Sequence, residues 1–253
     1  MEKERYPILE FDHSRETYIN ASSWVKSFNL HKFCVFSMFK NLNNFLLENG
    51  LINQIAALKT GALNIPIYEY KQNEQKVILM HPGIGAPFCV LVFEEMIIHG
   101  CKKFMVCGEA GVLVPDIEKG EMIVPTSFVR DEGNSYHYLP PSREVETPKK
   151  IINKIEGVLK SKELDYKLGK TWTTDGIFRE TKNKAKLRRD EGCISVEMEA
   201  SAFISASIHL GVDLGVILAA ADDLSGEQWN HRKQENKIEI HNIRPYLMRA
   251  SRL

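Results

Sequence analysis

Short apolar runs rich in β-branched residues alternate along this chain with longer stretches whose apolar positions recur every three or four residues. Lys76 to Met80, Lys103 to Cys107 and Met122 to Thr126 are runs of the first kind, as are Tyr166 to Thr174, Cys193 to Val196 and Leu214 to Ala220. Runs of that length and composition predict buried strands. Helical spacing marks 86–98, which ends at His99-Gly100. It also marks 147–161, with lysines on one side and Ile151, Ile152, Ile155 and Leu159 on the other, and 198–210, closed by Gly211. Glycine past the last apolar position is a common helix stop. Residues 32–49 read as a further helix ending at Gly50, and the first 30 residues or so read as irregular. Gly108 closes the strand that begins at Lys103.

Strands that are apolar throughout and separated by helices imply a sheet covered on both faces. The expectation is a three-layer α/β/α fold with a twisted, mostly parallel mixed central sheet. Without an internal repeat, low-complexity tract or Pro/Gly/Ser-rich linker, residues 1–253 form one domain. Ligands of such sheets gather beyond the carboxyl ends of the strands. That rule singles out Gly83 to Pro87, Gly108 to Gly111, Thr173 to Phe178 and Ala221 to Ser225.

Composition narrows the classes. Thirty-three basic and thirty-three acidic residues leave no formal net charge, which argues against nucleic acid or an anionic membrane as partner. No apolar run approaches the roughly 20 residues of a spanning helix. The charged start, Met1 to Arg5, leads into no apolar signal region, so the expected location is cytoplasmic. The five cysteines (Cys34, Cys89, Cys101, Cys107, Cys193) include no Cys-x-x-Cys pair and read as small buried hydrophobes in a reducing compartment. No metal site is expected from them or from the histidines.

Three motifs carry candidate chemistry. His81 to Pro87 (His-Pro-Gly-Ile-Gly-Ala-Pro) joins a strand to a helix. Its glycines let backbone amides approach an anion at the helix start, and a tight turn there needs glycine in any case. The third glycine of a dinucleotide fingerprint is missing, which counts against an NAD-dependent oxidoreductase. Glu197-Met198-Glu199 lies where a strand becomes a helix. Acids there cap the helix or bind vicinal hydroxyls over an apolar methionine. Asp222-Asp223 ends the last core strand, where adjacent carboxylates raise one another's pKa or simply form a turn.

Taken together, these motifs resemble the nucleoside phosphorylase family, which includes purine nucleoside phosphorylase, uridine phosphorylase and the methylthioadenosine nucleosidases. The matching pieces, in order, are the Gly-Ile-Gly turn, Gly108-Glu109-Ala110-Gly111, Leu113 to Pro125, Thr174-Asp175 before an aromatic, Glu197-Met198-Glu199-Ala200, and Ala221-Asp222. The match runs over about residues 75 to 226. The resemblance implies cleavage of a nucleoside's N-glycosidic bond by a homodimer or homohexamer, with no cofactor and phosphate as co-substrate. It implies that Glu199, with Met198 and Glu197, binds the ribose. Thr174, Ile177 and Phe178 would flank the base, Asp222 would protonate it, and Gly83, Gly85 and Gly108 would surround the nucleophile.

The sequence departs from the family where phosphate should bind. The family's Arg-Val-Gly-Thr/Ser stretch is matched here by Val106-Cys107-Gly108-Glu109, and no Gly-Asp-Pro-x-Arg stretch stands near the N-terminus. Either phosphate is held by amides and a base elsewhere, with Arg130 and Arg179 as candidates, or Glu109 activates water and the enzyme is a hydrolase. A non-catalytic nucleoside binder is a further alternative. The family's uracil-reading Gln-x-Arg pair is absent from Arg179 to Asn183, which together with Asp222 favours a purine. The polar and aromatic loop Arg130 to Tyr138 either covers the base or packs on the surface.

Overall fold

A computed structural model describes residues 3–232 apart from 62, 73 and 74. In chain order the elements begin with α1 (Ala21–Trp24), β1 (Phe33–Ser37), α2 (Lys40–Glu48), β2 (Ile52–Lys59), β3 (Asn64–Gln72) and β4 (Gln75–Met80). Then come α3 (Ala86–Ile98), β5 (Lys103–Val112), β6 (Met122–Asp131), β7 (Glu144–Glu146) and α4 (Lys149–Lys160). The last are β8 (Lys167–Thr174), α5 (Lys182–Asp190), β9 (Cys193–Glu197), α6 (Ala200–Leu210) and β10 (Asp213–Asp223).

The strands form one mixed sheet. At its centre β4, β1, β5 and β10 are parallel, and β2, β3 and β4 form an antiparallel meander at one side. On the other side β6, β8 and β9 are parallel to one another. This second block joins the first antiparallel at two places, β6 to β10 and β9 to β5. The path β5–β10–β6–β8–β9 therefore closes on itself.

Alternation along the strands sends side chains to two faces. Cys34, Phe36, Ile78, Phe104 and Leu214 pack under α3 and α6. Four phenylalanines lock that layer: Phe93 of α3 lies edge-on to Phe104 at 4.6 Å and to Phe203 of α6 at 5.9 Å, and Phe36 sits 5.5 Å from Phe203. Val35, Val77, Leu79, Met105 and Ile217 face the other way, against Leu42 and Leu46 of α2 and the isoleucines of α4. The three layers anticipated from the pattern are present. Truncating any of the buried phenylalanines costs about 3–5 kcal/mol.

Two local expectations are corrected. Residues 32–49 are not one helix. Phe33–Ser37 is wholly buried between β4 and β5, and that burial overrides the apparent helical period. Strand β5 does not stop at Gly108 but continues to Val112, with Lys103 through Ala110 held in unbroken register against Asp213 through Ala220 of β10. Gly211 ends α6 in the left-handed conformation, φ 69°.

Candidate active site

The closed path opens a site on β5. Strand β1 pairs along one edge of β5 as far as Ser37–Cys107, and β9 takes over that edge at Gly111 and Val112. Glu109 falls in the gap. At Gly111 a Cβ would lie 2.7 Å from Leu224 Cδ1 and 3.3 Å from Asp222 Oδ1, so a larger residue there must displace side chains at the site. Such a gap between diverging strands is where α/β sheets bind ligands.

A pocket of about 560 Å³ occupies it, within the size range of small-molecule sites. Each of the four strand-exit segments contributes lining: Ile84; Glu109, Ala110 and Gly111; Ile177 and Phe178; Ala221, Asp222 and Leu224. Glu197, Met198 and Glu199 line it as well.

The junction of β9 and α6 fixes its acids by hydrogen bonds. One oxygen of Glu197 accepts the backbone N–H groups of Glu199 and Ala200, both at 2.7 Å, which are orphan donors of the starting helix. The other accepts the Thr173 hydroxyl at 2.5 Å, and Thr173 Oγ1 in turn accepts the Ser201 N–H. Burial, then the charge on Glu199, pushes Glu197 up to about 8 against those hydrogen bonds. Glu199 is buried, and its Oε1 accepts the Gly85 N–H at 2.6 Å. Gly85 sits at φ 89°, a conformation that costs side chains other than glycine. Burial also raises Glu199, opposed by the amides of Gly85 and Met198.

At the end of β10 the two aspartates part company. Asp222 Oδ2 accepts the indole N–H of Trp229 at 2.5 Å. Asp223 instead accepts from the Ser225 N–H and pairs with Arg232 at 2.9 Å, so its charge is neutralised away from Asp222. Besides Glu197 and Glu199, Glu109 and Glu180 share the lining with Asp222, and the charge of Asp222 acts on both. Glu109 still meets solvent through the pocket; burial raises it, Lys119 acts the other way, and Asp222 raises it further. Glu180 is half-buried, and burial, then the charge of Asp222, brings it to about 7.

Several candidates lie outside the lining. Thr174 is buried, its hydroxyl accepting the Gly176 N–H at 3.2 Å. Gly83 donates its N–H to His81 Nδ1, and Gly108 packs against Met38. Arg179 is exposed. Arg130 is buried and its guanidinium is already engaged, donating to Ser135, Ser142 and the carbonyls of Leu139 and Pro140, with Tyr136 stacked at 4.3 Å. Its loop packs on the helices: Ser201 donates to Glu132, and Tyr138 donates to Glu94. Among the described residues no Lys, Arg or His lines the pocket. Sequence reasoning missed Met38, Glu180, Val196 and Trp229 in the lining. Glu180 stands two residues after Phe178 and Trp229 seven after Asp222; neither distance is a recognisable motif.

All five cysteines are buried thiols. Among the described residues no group of His, Cys, Asp and Glu can hold a metal ion, and no helix is long and apolar enough to cross a membrane.

The fold is a three-layer α/β/α architecture with a carboxylate-lined pocket where its central strands part. Residues 49–245 match the family model of the phosphorylase superfamily, and the chain belongs to that superfamily. Among its relatives, a guanosine phosphorylase of Halorubrum lacusprofundi is 25% identical over 142 residues, 56% of this chain and 59% of the relative. A uridine phosphorylase of Haemophilus influenzae is 23% identical over 159 residues, 57% and 63% of the two chains. A DeoD-type purine nucleoside phosphorylase of Exiguobacterium sibiricum is 25% identical over 162 residues, 61% and 67%. The chain thus spans about three fifths of the length of the first two relatives.

Proposed function

We propose that this protein cleaves the N-glycosidic bond of a nucleoside by phosphorolysis, releasing ribose 1-phosphate and the free base, with purines favoured. The observation that carries the reading is that Glu199, Met198 and Asp222 line one pocket. Breaking a ribosyl C–N bond leaves positive charge on the sugar and negative charge on the base, so the enzyme must grip the ribose and neutralise the base. Glu199, held from behind by Gly85, accepts the two ribose hydroxyls while Met198 packs on the sugar. Asp222 delivers a proton to the leaving purine, and Glu180, poised at about 7, holds the nearby reserve. General acid assistance of this kind gives about 10²–10⁴-fold. Ile177 and Phe178 wall the base. Glu197 acts on the ribose indirectly, since its carboxylate is taken up by Thr173 and the start of α6. The family expectation of a cytoplasmic homodimer or homohexamer goes with this reading, and light scattering on the purified protein reads the assembly.

A second reading is hydrolysis, and a specific observation favours it: the described lining has five carboxyl groups and no cationic side chain. Phosphate meets like-charge repulsion there, whereas Glu109, in the gap of β5, is placed to take a proton from water. A panel of inosine, guanosine, adenosine and uridine, assayed with and without phosphate, separates the two. Phosphate-dependent release of ribose 1-phosphate supports phosphorolysis, and free ribose at a phosphate-independent rate supports hydrolysis. No cleavage under either condition rejects both.

A further inference from the structure

An acid at the N-cap of a helix ordinarily turns its side chain back to accept the first free N–H groups. Glu199, the N-cap of α6, makes no such bond. Its carboxylate lies on the pocket wall instead, where the Gly85 N–H holds it. The first turn of α6 is therefore held from outside. Glu197 takes the N–H groups of Glu199 and Ala200, and Thr173 of β8 takes that of Ser201 at 3.0 Å. The Ser201 hydroxyl reaches a third element, donating to Glu132 Oε1 at 2.8 Å.

Glu132 belongs to the loop Arg130 to Tyr138, no residue of which lines the pocket. Its side chain is buried, 5% exposed, and the N–H groups of Asn134 at 2.6 Å and Ser135 at 3.0 Å fix its other oxygen. Arg130 Nε donates to the Ser135 hydroxyl at 2.9 Å, and the charge of Glu132 acts on the same guanidinium. A carboxylate is costly to bury unless it is paired and hydrogen-bonded. Among the described residues its one hydrogen bond outside the loop goes to Ser201. Arg130, Ser135, Glu132 and Ser201 thus form a continuous buried chain that ends two residues from Glu199.

We propose that Glu132 and Ser201 are positioning residues for Glu199: through them the loop fixes the first turn of α6 and so sets where the Glu199 carboxylate meets the ligand. The proposal rests on the ribose contact proposed above and gives that contact a support that touches no substrate. Charge-assisted hydrogen bonds are shorter and stronger than neutral ones, which suits a bond that must keep a helix start in place. Gly85 restrains one oxygen of Glu199, whereas the backbone that carries it is set by the turn. Without the Ser201 hydroxyl that turn stays tied to Glu197 and Thr173 and is free to move away from the loop. A shift of about 1 Å at a site of this kind lowers the rate about 10²-fold.

The test is a cycle of variants of the full chain, read as kcat/KM for whichever nucleoside is cleaved best. Ser201→Ala should lower kcat/KM at least about tenfold. In a Glu199→Ala background the same change should matter less than about twofold, because the group it positions is gone. A bond that only braces the fold would lower both backgrounds alike. Glu132→Gln keeps the contact, its NH₂ donating to Ser201 Oγ while its carbonyl accepts the Asn134 and Ser135 N–H groups, and should stay within about threefold of wild type. Glu132→Ala should fall as far as Ser201→Ala. If Ser201→Ala does not fold, Ser201→Cys, of nearly the same shape and a weaker donor, takes its place. An unimpaired serine variant, or an equal loss in both backgrounds, overturns the proposal. The ribose contact survives either result if Glu199→Ala alone is strongly impaired. An unimpaired Glu199→Ala brings both down, as does the absence of cleavage of any nucleoside.

Discussion

Glu197→Gln tests whether the carboxyl at the β9–α6 junction is neutral in the folded protein. Its pKa moves from 4.5 to about 8, so ionising it costs the fold ~5 kcal/mol at full effect. Glu197 lines the pocket and is only partly buried, so solvent screening reduces this to ~2–5 kcal/mol. The folded pKa lies above the unfolded one. The bound proton therefore stabilises the protein fully below about pH 4.5, and that stability drains away as pH rises through about 8. Glutamine has no proton to lose. Its amide oxygen replaces the acceptor for the Glu199 and Ala200 N–H groups, and its NH₂ donates to Thr173 Oγ1. Urea unfolding at about pH 5 should find variant and wild type within ~1 kcal/mol of each other. At about pH 9 the variant should be ahead by ~2–5 kcal/mol. A difference that does not change with pH refutes the reasoning.

Three further outcomes are expected. Glu199→Ala removes two charge-assisted contacts to ribose of ~1.5–3 kcal/mol each, so kcat/KM should fall about 10²–10⁴-fold; a loss under about tenfold in steady-state kinetics counts against the ribose clamp. Arg130→Ala strips the side chain bonded to Ser135, Leu139, Pro140 and Ser142 and should cost ~2–4 kcal/mol by denaturant unfolding without changing the KM for phosphate. A large rise in that KM with stability intact would return Arg130 to the phosphate site. Gly111→Val forces a Cβ against Leu224 and Asp222, so it should lower kcat at least about tenfold while costing ~1–3 kcal/mol of stability; unimpaired kcat means that Asp222 does not need its present position.

Much of this was legible because the central strands are apolar throughout and glycines punctuate their ends. Lys76 to Met80 and Lys103 to Cys107 announced themselves. Strand β1 did not, because Phe33–Ser37 runs within three residues into α2 and the two merge into one ambiguous stretch. Helix α5, with little beyond Ala185 buried, has almost no apolar stripe to read. The continuation of β5 past Gly108 depends on backbone pairing with β10 and β9, which no local pattern encodes. In the site, Glu199 and Asp222 were visible because their neighbours form an ordered set of motifs. Glu180 and Trp229 were not, since only the folded chain brings them to Asp222. Nor could the sequence assign Arg130, whose acceptors all lie 5–12 residues further on in its own loop. Asp223 was expected to press on Asp222, and the fold pairs it with Arg232 instead.

The crystal structure of the protein with an intact nucleoside tests the central claim most directly. The account predicts both ribose hydroxyls within about 2.6–3.2 Å of the Glu199 carboxylate, Met198 against the sugar, and the base beside Asp222. A nucleoside seated outside this pocket, or one inside it whose ribose turns away from Glu199, contradicts the account.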